Sequence, residues 1–210
     1  MKILSHRGYW KTASEKNALI AFERSFELDF GTETDIRDFQ GELVIAHDIA
    51  SSGALSLKDF LALATSYENP EPFTLALNIK ADGLVELLLP LLAQHPKLDM
   101  FAFDMSIPEM RRYLQAGIAV FSRMSEVEPS PVWLSQSTGV WLDGFEKTWF
   151  NVGVIEDLLA LGKRVCVVSP ELHGREHLDL WHSLKRMSGI TGLLLCTDFP
   201  EQARQFFANE

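Results

Sequence analysis

Two histidines and two alternating carboxylates carry the chemistry this chain can offer. His6 lies in Leu4-Ser5-His6-Arg7-Gly8, Glu33 and Asp35 in Gly31-Thr32-Glu33-Thr34-Asp35, and His47 in Val44-Ile45-Ala46-His47-Asp48. Residues two apart in a strand project to the same face, so Glu33 and Asp35 can grip one cation together. Their hard oxygens suit Mg²⁺ or Ca²⁺ rather than zinc, which favours imidazole and thiolate. His6 and His47 titrate near neutral pH, so one can accept a proton while the other donates one. Arg7 and Lys80 add fixed positive charge of the kind that holds a phosphate. Breaking a phosphodiester needs such a set: a cation to offset charge on the phosphoryl oxygens, a base for the nucleophile and an acid for the alkoxide that leaves.

These side chains need a frame to converge. Strand-like apolar runs start at Lys2, Gly31, Phe73, Met100, Ala119, Val140, Arg164 and Gly192, and helix-like segments alternate with them. That order requires a parallel sheet with helical crossovers, and about eight strand-helix units close a (β/α)₈ or TIM barrel. One domain is therefore expected over 1–210. An open doubly wound sheet is the alternative, but it calls for a glycine-rich phosphate loop after the first strand, and His6-Arg7-Gly8-Tyr9-Trp10 is not one. Polar residues close the apolar runs: His6 and Arg7, Asp35, Asn78 and Lys80, Asp104, Arg123, Asp143, Ser169 and Glu171, Thr197 and Asp198. In a barrel those ends share one rim, where active sites are built.

Finer features fit that frame. Asn17 to Leu28 reads as a helix with Ala18, Ala21, Phe22 and Phe26 on its apolar face, and Ser56 caps a short helix to Ala64. Gln40-Gly41-Glu42 is a turn before an extended run from Leu43 to Ala46, and Glu126 to Pro131 is a loop. The segment Ser169 to Arg175 follows the seventh strand, a place where barrels bind phosphate, although a plain polar loop has the same composition. Trp10 enters the loop directly above His6 and Arg7, whereas core packing is the default for Trp133, Trp141 and Trp149.

Composition narrows the partners. With 210 residues and 47% hydrophobic content the chain can bury a substantial core. A formal net charge of -10 argues against a nucleic-acid surface, which needs an excess of Lys and Arg. Cys166 and Cys196 sit inside apolar runs, as buried thiols do. Met1 to Ser5 meets His6 at once, leaving no room for the apolar core of a secretion signal. Leu84 to Leu92 contains Glu86 and Pro90 and is too short to span a bilayer. These features predict a soluble cytoplasmic protein with a small-molecule partner.

His6-Arg7-Gly8, Asn17 opening a helix with Ala21-Phe22, Glu33-x-Asp35 and Val44 to Asp48 together resemble the glycerophosphodiester phosphodiesterase family, within the phosphatidylinositol phospholipase C-like barrels. The resemblance covers about the first quarter of the chain. It returns at Asn78-Ile79-Lys80 and, faintly, at Thr197-Asp198-Phe199-Pro200. It implies a metal-dependent barrel hydrolysing a small phosphodiester, with His6 and His47 as acid and base and with Glu33 and Asp35 on the metal. It also implies Arg7 and Lys80 on the phosphate, and attack by a neighbouring substrate hydroxyl through a cyclic phosphate that water then opens. Two residues depart from the family pattern: Lys16 stands where a glutamate precedes Asn17, and Asn78 where a third acidic metal ligand is usual. An amide oxygen still coordinates Mg²⁺ or Ca²⁺, with one negative charge fewer, and Asp104 is a second source of that charge. Those departures keep open a barrel that binds a phosphate ligand without turnover, and a lyase that releases the cyclic phosphate is a second alternative.

Overall fold

Side-chain alternation along the strands decides what fills the interior of this molecule. The computed structural model describes residues 1–208. Strands β1 (Lys2–His6), β2 (Gly31–Phe39), β4 (Thr74–Ile79), β5 (Asp99–Phe103), β6 (Phe121–Met124), β7 (Gly139–Leu142), β8 (Arg164–Val168) and β9 (Leu193–Thr197) are parallel. They run in the order β5-β4-β2-β1-β9-β8-β7-β6. The seam between β5 and β6 closes through one bridge, Ala102 to Val120, so the eight staves form a nearly complete barrel. The extended run after the Gln40-Gly41 turn is not a stave. It is β3 (Glu42–Ile45), folded back antiparallel on β2 with Phe39 opposite Glu42.

Helices α1 (Leu19–Glu27), α2 (Leu57–Ser66), α3 (Val85–Gln94), α4 (Ile107–Gln115), α5 (Val152–Ala160), α6 (Leu178–Leu184) and α7 (Pro200–Ala208) follow the strands. The segment read as a loop over Glu126 to Pro131 forms no helix. Between β6 and β7 the chain passes through residues 125–138 without one, because Pro129 and Pro131 remove amide donors and favour turns. Short polar side chains start three of the helices: Ser56, Ser106 and Asn151 each accept a bond from a backbone amide of the first turn. Among the described residues no helix is long and apolar enough to cross a membrane.

Two apolar layers result. Phe22 and Phe26 of α1 meet Phe60 of α2 outside the sheet, while Leu4, Ala76, Phe101, Phe103, Phe121, Trp141, Cys166 and Cys196 fill the barrel. Phe101 stacks on Phe121 with ring centroids 3.6 Å apart, bridging the weak seam with side chains where backbone bonds are few. Gly139 is required beside them, since a Cβ there would stand 2.5 Å from the Phe121 ring. Trp141 is core, as expected, stacked on Phe103. Both cysteines are free and buried, and burial raises their thiols well above the usual range.

The same alternation delivers polar groups to the rim. Leu4 is followed two residues on by His6, Gly31 by Glu33 and Asp35, Ala76 by Asn78 and Lys80, and Cys196 by Asp198. Apolar residues fill the middle of the barrel and polar ones finish its C-terminal end.

Candidate active site

Register fixes the first contacts. His6 lies beside Glu33 across the β1–β2 pair, and Asp35 beside Asn78 across the β2–β4 pair. After His6 the chain leaves β1 by a left-handed turn, with φ of 57° at Arg7 and 82° at Gly8. Positive φ at a residue other than glycine is costly and persists only where neighbours hold it. Here the Arg7 amide donates to the backbone oxygen of Glu33 at 3.0 Å and to its carboxylate at 3.2 Å. The Arg7 carbonyl accepts from the Asn17 amide at 2.9 Å.

That turn aims the Arg7 guanidinium at Asp35, with Nε 3.0 Å from Oδ2. Lys80 Nζ lies 3.3 Å from the other oxygen of Asp35. Asn17 donates from Nδ2 to Asp35 at 2.8 Å while its own oxygen accepts from Thr34, which fixes the amide's orientation. Asp35 and Glu33 are both buried. Burial, then the charge of Asp35, raises the Glu33 carboxyl well above the usual carboxylate range, against the opposing pull of Arg7, Lys80 and Asn78.

His6 is set by a partner at the far end of the chain. Its Nδ1 lies 2.8 Å from Asp198 Oδ1, just beyond β9, and its Nε2 lies 3.9 Å from Glu33. A carboxylate on Nδ1 selects the neutral tautomer whose lone pair is on Nε2, facing the carboxylate pair. Burial lowers the His6 pKa; the bond and charge of Asp198 oppose this, and the charges of Arg7 and Lys16 add to it. Glu171 supports Asp198 from behind, accepting from the Asp198 amide at 3.1 Å and from Thr197 Oγ1 at 2.5 Å.

His6, Arg7, Glu33, Asp35, Asn78 and Lys80 thus converge on one place. His47 stands outside that network, half-exposed on the rim with its Nδ1 2.9 Å from Asp48. It shares with Arg7, Lys16 and Asn17 an open groove of about 700 Å³ beside Asp35. Asp104 is paired with Arg123, from the neighbouring stave, at 2.8 Å. The Ser169 to Arg175 segment is tied up internally, with His173 Nε2 2.8 Å from Asp143 and Arg175 bonded to the Gly144 carbonyl. The roles of Asp198, Asn17 and Glu171 escape a reading of spacing. Asp198 left a trace as a polar residue closing the last strand, but nothing in the sequence paired it with His6.

The donor chemistry fits a hard divalent cation. Among the described residues no three His, Cys, Asp or Glu side chains group as metal ligands, and the oxygens that could hold a cation here are those of Glu33, Asp35 and the Asn78 amide. Asn78 Oδ1 is a buried acceptor with no partner, and a cation would also relieve the repulsion between the two carboxylates.

The class defined by this fold is a (β/α)₈ barrel, here with a cluster of charged and polar side chains at the C-terminal ends of its strands. Among solved structures, the chain is similar to the glycerophosphodiester phosphodiesterase from Agrobacterium tumefaciens str. C58, with a TM-score of 0.71, 16% identity and 100% of both chains covered. That from Thermotoga maritima gives 0.71 at 13% identity over 97% of each chain. A glycerophosphoryl diester phosphodiesterase from Parabacteroides distasonis ATCC 8503 gives 0.69 at 13% identity, covering 99% of this chain and 86% of its own. The chain has the fold of these glycerophosphodiester phosphodiesterases. No protein-family model and no curated protein sequence matches it.

Proposed function

We propose that the protein is a metal-dependent phosphodiesterase that hydrolyses a small glycerophosphodiester-like substrate. The observation that carries this reading is the convergence of a carboxylate-held histidine, His6, with two buried carboxylates and two cations at one end of the barrel. Arg7 and Lys80 orient the phosphate, although both share Asp35 and so present only part of their charge. His6, neutral with its lone pair on Nε2, takes the proton of the attacking hydroxyl. His47, on the open side of the groove, meets the leaving alcohol and donates the proton it needs, and the two exchange roles when water opens a cyclic phosphate. Glu33, Asp35 and Asn78 would hold Mg²⁺ or Ca²⁺, which when bound neutralises charge on the phosphoryl oxygens.

Turnover of a panel of glycerophosphodiesters, followed by phosphorus NMR, tests the reading. A monoester product with no lasting cyclic ester is expected, and both His6→Ala and His47→Ala lower kcat by about 10²–10⁴-fold. A cyclic ester that persists would make the protein a lyase. Unchanged activity in both variants would remove the two histidines from the mechanism.

A further inference from the structure

Lys16 is a cation that the proposed chemistry does not use. It is half-buried in the groove that also holds Arg7, Asn17 and His47, and its ammonium lies 4.4 Å from the centre of the Trp10 ring. Stacking on the indole face fixes the charge in place rather than leaving it free on a flexible stem. Its charge is felt at His6, where it adds to that of Arg7.

The carboxylates near Lys16 are engaged elsewhere. Arg7 and Lys80 both lie against Asp35, whereas Lys16 has no carboxylate within 4.0 Å among the described residues. The adjacent Glu15 is held by Arg24 at 2.9 Å and by the Lys11 amide at 2.7 Å. Asp48, across the groove, bonds His47 and is almost fully exposed. Of the two Lys and Arg side chains that line this groove, Arg7 faces Asp35 and Lys16 faces no carboxylate.

A phosphodiester carries one negative charge, and Arg7 and Lys80 already face it. Lys16 lines the same open groove as Arg7 and His47, held against the Trp10 ring, so a substituent extending from the phosphate along this groove meets its ammonium. We infer that Lys16 determines specificity by binding a second anionic group, a carboxylate or phosphate, on the alcohol portion of the substrate. This rests on the phosphodiesterase reading for the identity of the substrate but not for the presence of the anion subsite.

Glycerophosphoserine and glycerophosphoethanolamine test it, because they differ by a single carboxylate. The expected kcat/KM ratio favours the serine ester by about tenfold, the scale of one charge-assisted contact. Lys16→Gln brings that ratio to within about twofold and Lys16→Glu inverts it. A wild-type ratio near one, or a ratio that survives Lys16→Glu, overturns the inference. Should neither ester be turned over, the phosphodiesterase reading fails alone, and calorimetric binding of the same two esters takes over with the same expected order. If wild-type protein binds neither ester, or both equally, the subsite is overturned as well. Thermal unfolding of both variants at the wild-type Tm shows that the comparison is between folded proteins.

Discussion

Asp198 orients His6 through a hydrogen bond at Nδ1. Replacing it with asparagine keeps the shape but allows the ring to carry its proton on Nε2, the wrong nitrogen for the base role proposed for His6. Asp198→Asn is expected to lower kcat by about 10²–10⁴-fold with little change in KM, measured by steady-state kinetics on the preferred diester. In the proposed cation site Asn78 would set the opposite balance, because its amide offers an oxygen without the charge. Asn78→Glu should tighten Mg²⁺ or Ca²⁺ binding by about 10–100-fold in calorimetric titration, since a third carboxylate adds charge beside Glu33 and Asp35. Weaker metal binding in that variant would show that Asn78 lies off the cation's coordination shell.

The element that most depends on local geometry is the turn between β1 and α1. Gly8 sits at φ 82°, and a Cβ on it would stand 2.8 Å from Ala21 Cβ and 2.9 Å from the Ala21 carbonyl carbon. Helix α1 therefore docks against the turn only because residue 8 has no side chain. Gly8→Ala combines left-handed strain with overpacking against backbone and should cost about 2–4 kcal/mol, read from urea denaturation. It should also reduce activity in the surviving folded protein, since the same turn aims Arg7 at Asp35. The predicted helix from Asn17 was too long for the same local reason. Asn17 takes φ 60° and spends its side chain on Asp35 and Thr34, so the helix begins at Leu19. Residues that read as a helix start thus became part of the site.

Across the whole molecule the two rims do different work. The C-terminal rim gathers the chemistry, whereas at the N-terminal rim Arg164 forks onto Asp99 at 2.8 and 2.6 Å, tying β5 to β8 across the barrel. Burial alone would raise the Asp99 carboxyl, but the bonds from Arg164 and Thr74 and the charge of Arg164 outweigh it, and the pKa falls below the ordinary value. A depressed carboxyl contributes stability that is present above its unfolded pKa and lost as pH falls through the folded one. The stability gap between wild type and Asp99→Asn should accordingly be widest near neutral pH and close toward pH 2, followed by denaturation at several pH values. A gap independent of pH would assign the Asp99 contribution to packing. The sequence by itself determined the number and order of the staves, the buried cysteines and the placement of Glu33, Asp35, Asn78 and Lys80 near a rim, because alternation at period two and polar strand ends are local signals. Only the tertiary structure decided that the seam between β5 and β6 closes through a single bridge, Ala102 to Val120. It alone could pair Asp198 with His6 across 192 residues, give Asp104 to Arg123 and leave Lys16 without a carboxylate. Those outcomes depend on which staves become neighbours when the barrel closes, and closure is a property of the assembled sheet that no window of sequence contains.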